Sequence, residues 1–320
     1  MSESTAGSRA GGARDELRGR HVVVTGGTGG LGYWASEQLA ARGASVVIAA
    51  RSPEKGAAAL ASLAQHVPGA DARFVRLDLA DLASVEAAAI ELAGLPPIDA
   101  LIANAGVLSS DGRQVTADGF ESMIGTNLLG HAALIGRLLP RMLEPGRAPG
   151  RAGPRIVSLG SISHEFFRID LDDLQSERGR FREFRTYGRS KLAVMTFAFE
   201  LDRRLRAAGA DVASLVAHPG FAVDELTPPR DILPTPKTAG ALVRAGYRLG
   251  AQGKDAGALP LVVAAVDPRS AGGQYWGPSG WRQLKGRPAI VAAKPYARDR
   301  AVAERLWAAI EELTGIRYPV

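Results

Sequence analysis

The sequence predicts an α/β protein with a doubly wound, mainly parallel sheet, helices on both faces and a single domain. From His21 onward, short apolar runs typical of buried strands alternate with longer segments of helical periodicity. Glycine-rich turns separate these segments, and no change in composition marks a linker between two domains. Because parallel strands need a crossover connection that is usually a helix, the alternation favours this architecture.

The predicted elements follow one another in a regular order. Val22-Val23-Val24 is a continuous apolar run, as expected of a strand buried on both faces. A glycine-rich turn follows, and then a helix from about Leu31 to Ala41 that is stopped by Gly43. The pattern continues with strands over 45–50, 73–77, 100–103, 155–159 and 212–217, and with helices over 54–65, 82–93, 119–143 and 187–208.

Four segments lie outside this rhythm. Residues 1–18 are small and polar and predict a disordered tail, which leaves 19–320 as the domain. A Gly/Pro/Arg loop occupies 144–154, a polar insertion 162–186, and a proline-rich segment 219–237. In open α/β sheets ligands bind at the carboxyl ends of the strands, so we expect the last two segments to shape a substrate pocket.

The composition excludes several classes of protein. The chain has no cysteine, which excludes disulfides, thiolate metal sites and cysteine nucleophiles, and we predict no metal site. Its longest apolar run, Ala258 to Val266, is far shorter than the roughly 20 residues of a membrane-spanning helix. Residues 1–18 lack the apolar core of a signal peptide. We therefore expect a cytoplasmic protein without a membrane span.

The formal charge of +6 is modest for a chain of 33.5 kDa, and basic residues occur throughout the sequence. Acidic residues interrupt the densest basic stretch, which contains Arg178, Arg180, Arg182, Arg185, Arg189 and Lys191. The chain shows no known nucleic-acid-binding module, so we expect no nucleic acid partner. A solvated face and a nearby anionic ligand both fit this stretch.

A glycine-rich turn from Thr25 to Gly32 joins the first strand to the first helix. Glycines in this context let the backbone approach a pyrophosphate at a helix N-terminus, where free N–H groups and the helix dipole attract anions. The spacing of Gly26, Gly30 and Gly32 is G-x-x-x-G-x-G, which differs from the standard G-x-G-x-x-G and from a Walker loop. A tight structural turn is the alternative.

The end of the second strand bears on the choice of dinucleotide. An NAD site places an acidic residue about 20 residues past the turn, whereas this chain has Ala49-Ala50-Arg51-Ser52. A guanidinium pairs well with a phosphate, so Arg51 favours NADP(H) over NAD(H) unless it is an ordinary surface arginine.

Tyr187 and Lys191 stand four residues apart and project from one face of a predicted helix. A nearby ammonium would lower the pKa of Tyr187 toward the pH at which acid–base catalysis is efficient. Ser161, which follows the strand over 155–159, could hold a substrate oxygen. Tyr-x-x-x-Lys also arises by chance in many helices, so the pair alone does not define a site.

Together these residues resemble the short-chain dehydrogenase/reductase family over nearly the whole chain after residue 18. The matches occur in family order, and after the glycine turn they are Asp78-Leu79, Asn104-Ala105-Gly106, Asn127, Ser161, Tyr187-Gly188-Arg189-Ser190-Lys191 and Pro219-Gly220. The resemblance implies a Rossmann-type fold with a seven-stranded sheet.

The resemblance also implies a role for each matched residue. Tyr187 would be the general acid/base and Ser161 would bind the carbonyl oxygen. Lys191 would lower the tyrosine pKa and hold the nicotinamide ribose. Asn127 would order a water in a proton relay, unless it is a helix-packing amide. Among the cofactor-binding residues, Asp78 would cap the adenine, unless it caps a turn, and Asn104 would support the central strand. The others would be Gly26, Thr28, Gly29, Gly30, Leu31, Gly32, Leu79, Ala105, Gly106, Pro219 and Gly220.

Finer features resemble the branch of retinol-dehydrogenase-like and protochlorophyllide-reductase-like enzymes, which commonly uses NADP(H). They include the long insertion before Tyr187 and the segment Tyr275-Trp276. Two departures stand out: Gly160-Ser161 replaces a serine pair, and Asp224 replaces a threonine that can contact the cofactor in many relatives. A carboxylate beside an anionic cofactor is unfavourable unless it points away or meets a cation.

These observations predict an NADP(H)-dependent oxidoreductase that transfers hydride between nicotinamide and a carbonyl or alcohol. Aromatic residues in the variable loops favour a bulky apolar substrate, with His164, Phe166 and Phe221 as candidate contacts, although packing on the domain would also explain them. Reduction of a C=C bond and a catalytically silent NADP(H)-binding sensor or scaffold are the alternatives. Family members form homodimers or homotetramers through two long helices or remain monomers, so the oligomeric state stays open.

Overall fold

An eight-stranded sheet forms the centre of the computed structural model, which describes residues 16–109, 111–144, 152–233 and 240–320. Its strands are β1 His21–Thr25, β2 Ser45–Ala50, β3 Ala72–Arg76, β4 Ala100–Ala103, β5 Arg155–Leu159, β6 Ala213–Ala217, β9 Tyr275–Pro278 and β10 Pro288–Ile290. A separate two-stranded pair consists of β7 Ala222–Val223 and β8 Gln252–Gly253.

The order β10-β9-β6-β5-β4-β1-β2-β3 reverses direction beside β1, as in a doubly wound sheet. Every pairing in this sheet is parallel except that of β10 with β9. The predicted parallel α/β architecture is therefore confirmed. The difference from a seven-stranded sheet is β10, which adds an antiparallel strand at one edge.

Eight helices of at least ten residues connect and cover these strands in the described parts of the chain. They are α1 Gly30–Ala40, α2 Pro53–His66, α3 Leu82–Ala93, α4 Gly130–Leu143, α5 Glu183–Ala207, α6 Ala241–Gly250, α7 Lys254–Val266 and α8 Arg300–Thr314. Side chains define several of their starts: Ser52, Asp81 and Asp299 each accept a hydrogen bond from an N–H group in the following turn.

The alternation of side chains along each strand divides the core into two layers. Val23 and Leu101 point into the layer formed with α3, α4, α5 and α8. Val22, Val24 and Ile102 point into the opposite layer, which α1, α2 and α7 cover. Because both faces of the central strands are buried, their sequences are continuous apolar runs.

Helix boundaries differ from the predictions at two places that adjoin the site. The segment predicted as one helix over 119–143 begins with a turn in which Gly119 has a φ of +83°. A short turn at Ser122–Ile124 and a π-helical segment at Gly125–Leu129 then precede α4. Helix α5 begins at Glu183, four residues before the predicted start, so the last part of the insertion is helical.

The predicted tail is shorter than expected at its C-terminal end. Leu17 is 4% exposed and belongs to the core layer of α1, so the domain includes residues assigned to the tail over 1–18. Residues 1–15 of that tail, 145–151 of the Gly/Pro/Arg loop and 234–237 of the proline-rich segment lie outside the described residues. Within the described ranges, no helix has both the length and the apolarity needed to cross a membrane.

The two edges of the sheet carry different residues. Strand β3 forms one edge, and its Arg73 and Arg76 are exposed. Strand β10 forms the other edge and begins with Pro288, which pairs with Pro278 of β9.

Candidate active site

A cleft of about 500 Å³ opens at the carboxyl ends of β1, β2, β4 and β5. Twelve of the residues predicted to bind a cofactor line it, namely Gly26, Thr28, Gly29, Leu31, Arg51, Asp78, Leu79, Asn104, Ala105, Gly106, Tyr187 and Lys191. Gly30 lines a neighbouring cavity of about 380 Å³. The parallel topology brings most of these residues together because they lie at or just after the carboxyl end of a strand, and Tyr187 and Lys191 come from α5.

The glycine turn leaves no space for side chains at its base and an open surface at its tip. A Cβ atom on Gly32 would lie 2.4 Å from the Gly26 carbonyl oxygen, and one on Gly26, whose φ is +68°, would lie 3.0 Å from Ala105. At Gly29 no atom stands within 4 Å of such a Cβ. The turn therefore fits the close approach of a dinucleotide to the N-terminus of α1.

Asn104 fixes the loop after β4 to the end of β1. Its Nδ2 donates to the Thr25 carbonyl at 2.9 Å, and Thr25 Oγ1 accepts from the N–H groups of Asn104 and Ala105 at 2.9 and 3.0 Å. Asn104 Oδ1 is buried and has no partner among the described residues. An unpaired buried acceptor in a cleft wall fits a ligand that brings a donor.

The far wall of the cleft carries Asp78, Arg51 and Lys55. Asp78 Oδ1 accepts from the Ala80 N–H at 3.0 Å, so Asp78 caps a turn while it also lines the cleft. Arg51 is exposed at the end of β2. Lys55, in the first turn of α2, lines the same wall and was not identified from the sequence. Lys55 follows Arg51 by four residues, and this spacing could have identified it from the sequence.

Tyr187, Ser161 and Lys191 meet beside the end of β5. The Ser161 hydroxyl lies close enough to the Tyr187 phenol to lower the pKa of the phenol. Lys191 is 3% exposed, and its Nζ donates to the Leu159 carbonyl at 2.9 Å. Ser161 Oγ accepts from the N–H and the hydroxyl of Ser163 at 3.1 and 2.9 Å, which leaves its own proton free to donate.

Burial governs the pKa of both ionisable groups. It lowers the pKa of Lys191 to about 8 and raises the pKa of Tyr187 above its ordinary value, an effect that the neighbouring Ser161 hydroxyl partly offsets. The sequence predicted the opposite direction, a pKa of Tyr187 lowered by Lys191. Lys191 Nζ lies 5.9 Å from the centroid of the tyrosine ring and is engaged by Leu159, so desolvation of the phenol outweighs its influence.

Asn127 lies in the π-helical segment, and its side chain is fully occupied. Its Oδ1 accepts from the Val107 N–H at 2.8 Å, and its Nδ2 donates to the Val107 carbonyl at 3.1 Å and to Ser190 Oγ at 3.0 Å. These bonds tie the loop after β4 to α5, which is the packing role left open above. Its role in a water relay stays a prediction.

His131 links this amide to β1 and was not identified from the sequence. Its Nδ1 lies 3.0 Å from the Asn127 carbonyl oxygen and its Nε2 lies 2.9 Å from Thr25 Oγ1. Complete burial lowers the pKa of His131 to about 4. The neutral ring thus donates through Nδ1 and accepts from the threonine hydroxyl. His131 lies four residues after Asn127, and this spacing could have identified it from the sequence.

The loop after β6 starts at Pro219-Gly220, two predicted cofactor residues that do not line the cleft itself. Gly220 has a φ of +66°, and a Cβ there would lie 2.3 Å from the Leu284 carbonyl oxygen. Farther along the loop, Asp224 meets a cation: its Oδ1 lies 2.6 Å from Nζ of Lys254. The ion pair accounts for a carboxylate beside an anion site, and Lys254 is another residue that sequence patterns missed.

The three candidate substrate residues occupy different environments. His164 is 1% exposed, its Nδ1 bonds to the Ser161 carbonyl at 2.7 Å, and its Nε2 accepts from the Lys294 N–H at 3.4 Å. Neither ring nitrogen is free for a substrate, so His164 supports the turn that carries Ser161. Phe166 and Phe221 are 61% and 44% exposed and are available for contact.

Gly160 has a packing reason to differ from the serine of relatives. A Cβ at this position would lie 2.8 Å from Val216 and 3.1 Å from Met195. Ser158, in β5, is buried at 3% exposure, whereas Ser161 is the serine that reaches Tyr187.

Comparison with known proteins agrees with this geometry. A family model described as short chain dehydrogenase matches residues 20–169. The chain is 36% identical to polyprenol dehydrogenase of Mus musculus over 304 residues, which are 93% of this chain and 84% of that protein. The chain belongs to the short-chain dehydrogenase/reductase family. It is an oxidoreductase of that family.

Other relatives indicate the branch within the short-chain dehydrogenases/reductases. Retinol dehydrogenase 13 of Homo sapiens is 33% identical over 306 residues, covering 95% of this chain and 87% of that protein. The predicted resemblance to the retinol-dehydrogenase-like branch is therefore confirmed.

Two solved structures share the fold of this short-chain dehydrogenase/reductase. An uncharacterized protein from Mycobacterium paratuberculosis matches with a TM-score of 0.75 and 35% identity over 95% of this chain and 96% of that chain. A blue fluorescent protein from a metagenomic library, solved in complex with NADPH, matches with a TM-score of 0.58 and 25% identity over 81% and 96% of the two chains.

Proposed function

We propose that the protein is an NADP(H)-dependent dehydrogenase or reductase in which Tyr187 exchanges a proton with the substrate oxygen. The position of Tyr187 beside Ser161 and Lys191, at a cleft that fits a dinucleotide, is the observation that carries the proposal. A bound nicotinamide nucleotide supplies or accepts the hydride. The residues of this chain bind and orient the reactants and manage the proton.

Each polar group has a separate task in this proposal. In the direction of reduction the Tyr187 hydroxyl gives its proton to the substrate oxygen, and in oxidation the phenolate takes it back. Ser161 donates its free proton to the same oxygen, because both hydrogen bonds from Ser163 leave that proton unused. Lys191 adds positive charge beside the cleft, where it favours an anionic cofactor and a developing phenolate.

The choice of NADP(H) rests on the charge at the end of β2. Arg51 and Lys55 both line the cleft there. A guanidinium and an ammonium can share the oxygens of a 2′-phosphate, whereas an NAD site would need an acceptor for the 2′-hydroxyl. The NADPH bound to the blue fluorescent protein supports the same choice.

The substrate we propose is a bulky apolar alcohol or its carbonyl partner. Phe166 and Phe221 on the loops are 61% and 44% exposed, and Phe184 in the first turn of α5 is 57% exposed. A polar substrate would give these rings no partner, whereas an apolar chain would cover them. Two relatives are named for polyprenol and retinol, which are alcohols of this class.

A combined kinetic and binding experiment tests the proposal. We expect the wild type to oxidise NADPH with apolar aldehydes or ketones. Tyr187→Phe should lower kcat by about 100-fold or more while the Kd for NADPH stays unchanged. Arg51→Ala should weaken NADPH binding by about tenfold and leave NADH binding unchanged, and Arg73→Ala on β3 serves as its control.

Three results would contradict it. NADPH binding without turnover across the whole panel would favour the sensor or scaffold alternative. Full activity in Tyr187→Phe would remove the tyrosine from the proton transfer. An unchanged preference for NADPH in Arg51→Ala would remove the argument from the end of β2.

A further inference from the structure

Lys254 is a cation beside the glycine turn that the proposed function does not yet use. It is the first residue of α7, and its side chain lines both the cofactor cleft and the neighbouring 380 Å³ cavity. A Cβ on Gly30 would lie 3.8 Å from Lys254 Nζ. The ammonium therefore stands at the N-terminus of α1.

We propose that Lys254 binds the diphosphate of the dinucleotide and that its ammonium exchanges the Asp224 carboxylate for this contact. The proposal rests on the proposed function, since it assigns a partner to the central part of the same cofactor. It adds a charged side chain to the backbone N–H groups that the glycine turn offers the diphosphate.

Backbone contacts fix the start of α7 against the turn. The Lys254 N–H donates to Thr227 Oγ1 at 2.8 Å, and Gln38 Nε2 of α1 donates to the Asp255 carbonyl at 2.8 Å. A Cβ on Gly257 would lie 3.1 Å from Leu31, so the two helices touch at the turn itself. The backbone of Lys254 is therefore fixed relative to the turn, and only the rotamers of its side chain are free to change.

Cationic side chains along the cleft correspond to three parts of the dinucleotide. In the described part of the cleft wall, Arg51 and Lys55 stand at the end of β2, and Lys191 stands beside Tyr187. Lys254 stands beside Gly30 and lines the cleft with Thr28 and Gly29 of the glycine turn. Because the nucleotide lies along the carboxyl ends of the strands with its diphosphate at the glycine turn, the cation at the turn faces the diphosphate.

The ion pair with Asp224 can be exchanged for a phosphate. The side chains of Lys254 and Asp224 are 25% and 39% exposed, and such partly exposed pairs contribute little net free energy. A diphosphate oxygen offers the ammonium a second anionic partner in the same region. In the complex the negative charge of Asp224 opposes the bound anion. Its removal should therefore not weaken binding.

Equilibrium binding of three ligands to variants of the full chain tests the proposal. We expect Lys254→Met to weaken NADPH and NADH binding by the same factor, about tenfold, because both contain the diphosphate. Binding of adenosine 2′-monophosphate, which lacks the diphosphate, should stay unchanged. Arg51→Ala should show the reverse pattern and lose NADPH and adenosine 2′-monophosphate. Asp224→Asn should bind NADPH at least as tightly as the wild type.

A matched control accounts for the loss of one positive charge. Arg137 pairs with Glu86 on α3 at 2.8 Å, is 30% exposed and lies outside the residues that line the cleft. Arg137→Met should leave all three affinities unchanged. Thermal unfolding of Lys254→Met should match the wild type, which separates a binding effect from a folding effect.

The outcomes separate this proposal from the proposed function. Equal NADPH affinity in wild type and Lys254→Met would overturn the role of Lys254 alone. A loss confined to NADPH would also overturn it, because the lysine would then act at the 2′-phosphate. A wild type that binds neither dinucleotide would overturn the proposed function and this proposal with it.

Discussion

At the glycine turn, the space around each α-carbon separates glycines that the fold needs from glycines that a ligand needs. Gly32 lies against the Gly26 carbonyl and the Asn104 amide, so a methyl group there must displace backbone. Gly29 has an extended φ of −176°, which any residue adopts, and its surroundings are open. The two positions therefore respond differently to alanine.

We expect Gly32→Ala to lower the free energy of unfolding by about 1–3 kcal/mol, in the range of overpacked sites. Gly29→Ala should change it by less than about 0.5 kcal/mol and should weaken NADPH binding, because its methyl group would fill the space of the cofactor. Urea unfolding and equilibrium binding measure both effects. A stable Gly32→Ala protein, or unchanged NADPH affinity in Gly29→Ala, would contradict this assignment.

The residues of the site could be predicted to the extent that local spacing encodes them. Tyr187 and Lys191 share a helix face at a spacing of four, and the glycine turn lies between a strand and a helix, so sequence patterns identified them. Lys254 lies more than 200 residues beyond Gly30, and only the packing of α7 on α1 brings the two together. The pKa of Tyr187 also depends on burial, which no spacing encodes.

At the scale of elements, an ion pair attaches the loop after β6 to α1. The Arg230 guanidinium donates to both carboxylate oxygens of Glu37 at 2.8 and 2.5 Å and lies 4.0 Å from the centroid of the Trp34 ring. The two charged side chains are 17% and 12% exposed. This loop carries Asp224, so the pair helps to position the wall of the neighbouring cavity of about 380 Å³.

We expect Arg230→Met to lower the free energy of unfolding by about 1–3 kcal/mol, because Glu37 would remain partly buried without its cation. Limited proteolysis should then cut the loop after β6 faster. Arg300→Met is the control, since its pair with Glu304 is exposed at 72% and 47% and should contribute under about 0.5 kcal/mol. Equal proteolysis rates in both variants would show that the pair does not hold the loop.

Element boundaries show where periodicity stops being informative. The apolar pattern over 119–143 predicts one helix because a π-helical segment changes the phase of a helix by a single residue only. That segment is nevertheless what places Asn127 against Val107 and Ser190. Strand β10 has three residues and a proline, too few for an alternating pattern, so its antiparallel pairing depends on β9 being in place.

At the scale of the whole molecule, buried neutral histidines couple stability to pH. Burial lowers the pKa of His131 and of His218 to about 4 each. His218 Nδ1 accepts from the Gly220 N–H at 3.2 Å, so a proton on that nitrogen would face another donor. In the unfolded chain both rings bind a proton near pH 6.5.

The free energy of unfolding should therefore be fully maintained above pH 6.5 and should fall as the pH drops from 6.5 to 4, because the unfolded chain then binds more protons. Each of the two histidines contributes on the order of 3 kcal/mol to this loss. Urea unfolding at several pH values measures it. His218→Gln should show a shallower slope than the wild type, and identical slopes would contradict the prediction.

Comparison with this variant is necessary because other buried groups act in the opposite direction. Burial raises the pKa of Glu121 and of Asp202, so their protonation at low pH stabilises the folded protein. Both carboxyls are present in the wild type and in His218→Gln. The difference between their slopes of unfolding free energy against pH therefore reports the effect of His218 alone.

The two edges of the sheet determine how copies of this chain can meet one another. An edge strand offers free N–H and C=O groups that can recruit a strand from another molecule, which is the first step of strand-to-strand aggregation. Pro288 has no N–H to offer at the start of β10, and Arg73 and Arg76 would place like charges side by side if two β3 edges approached. Both ends of the sheet therefore resist extension. Addition of strands from other copies at these two edges is therefore disfavoured in the folded protein.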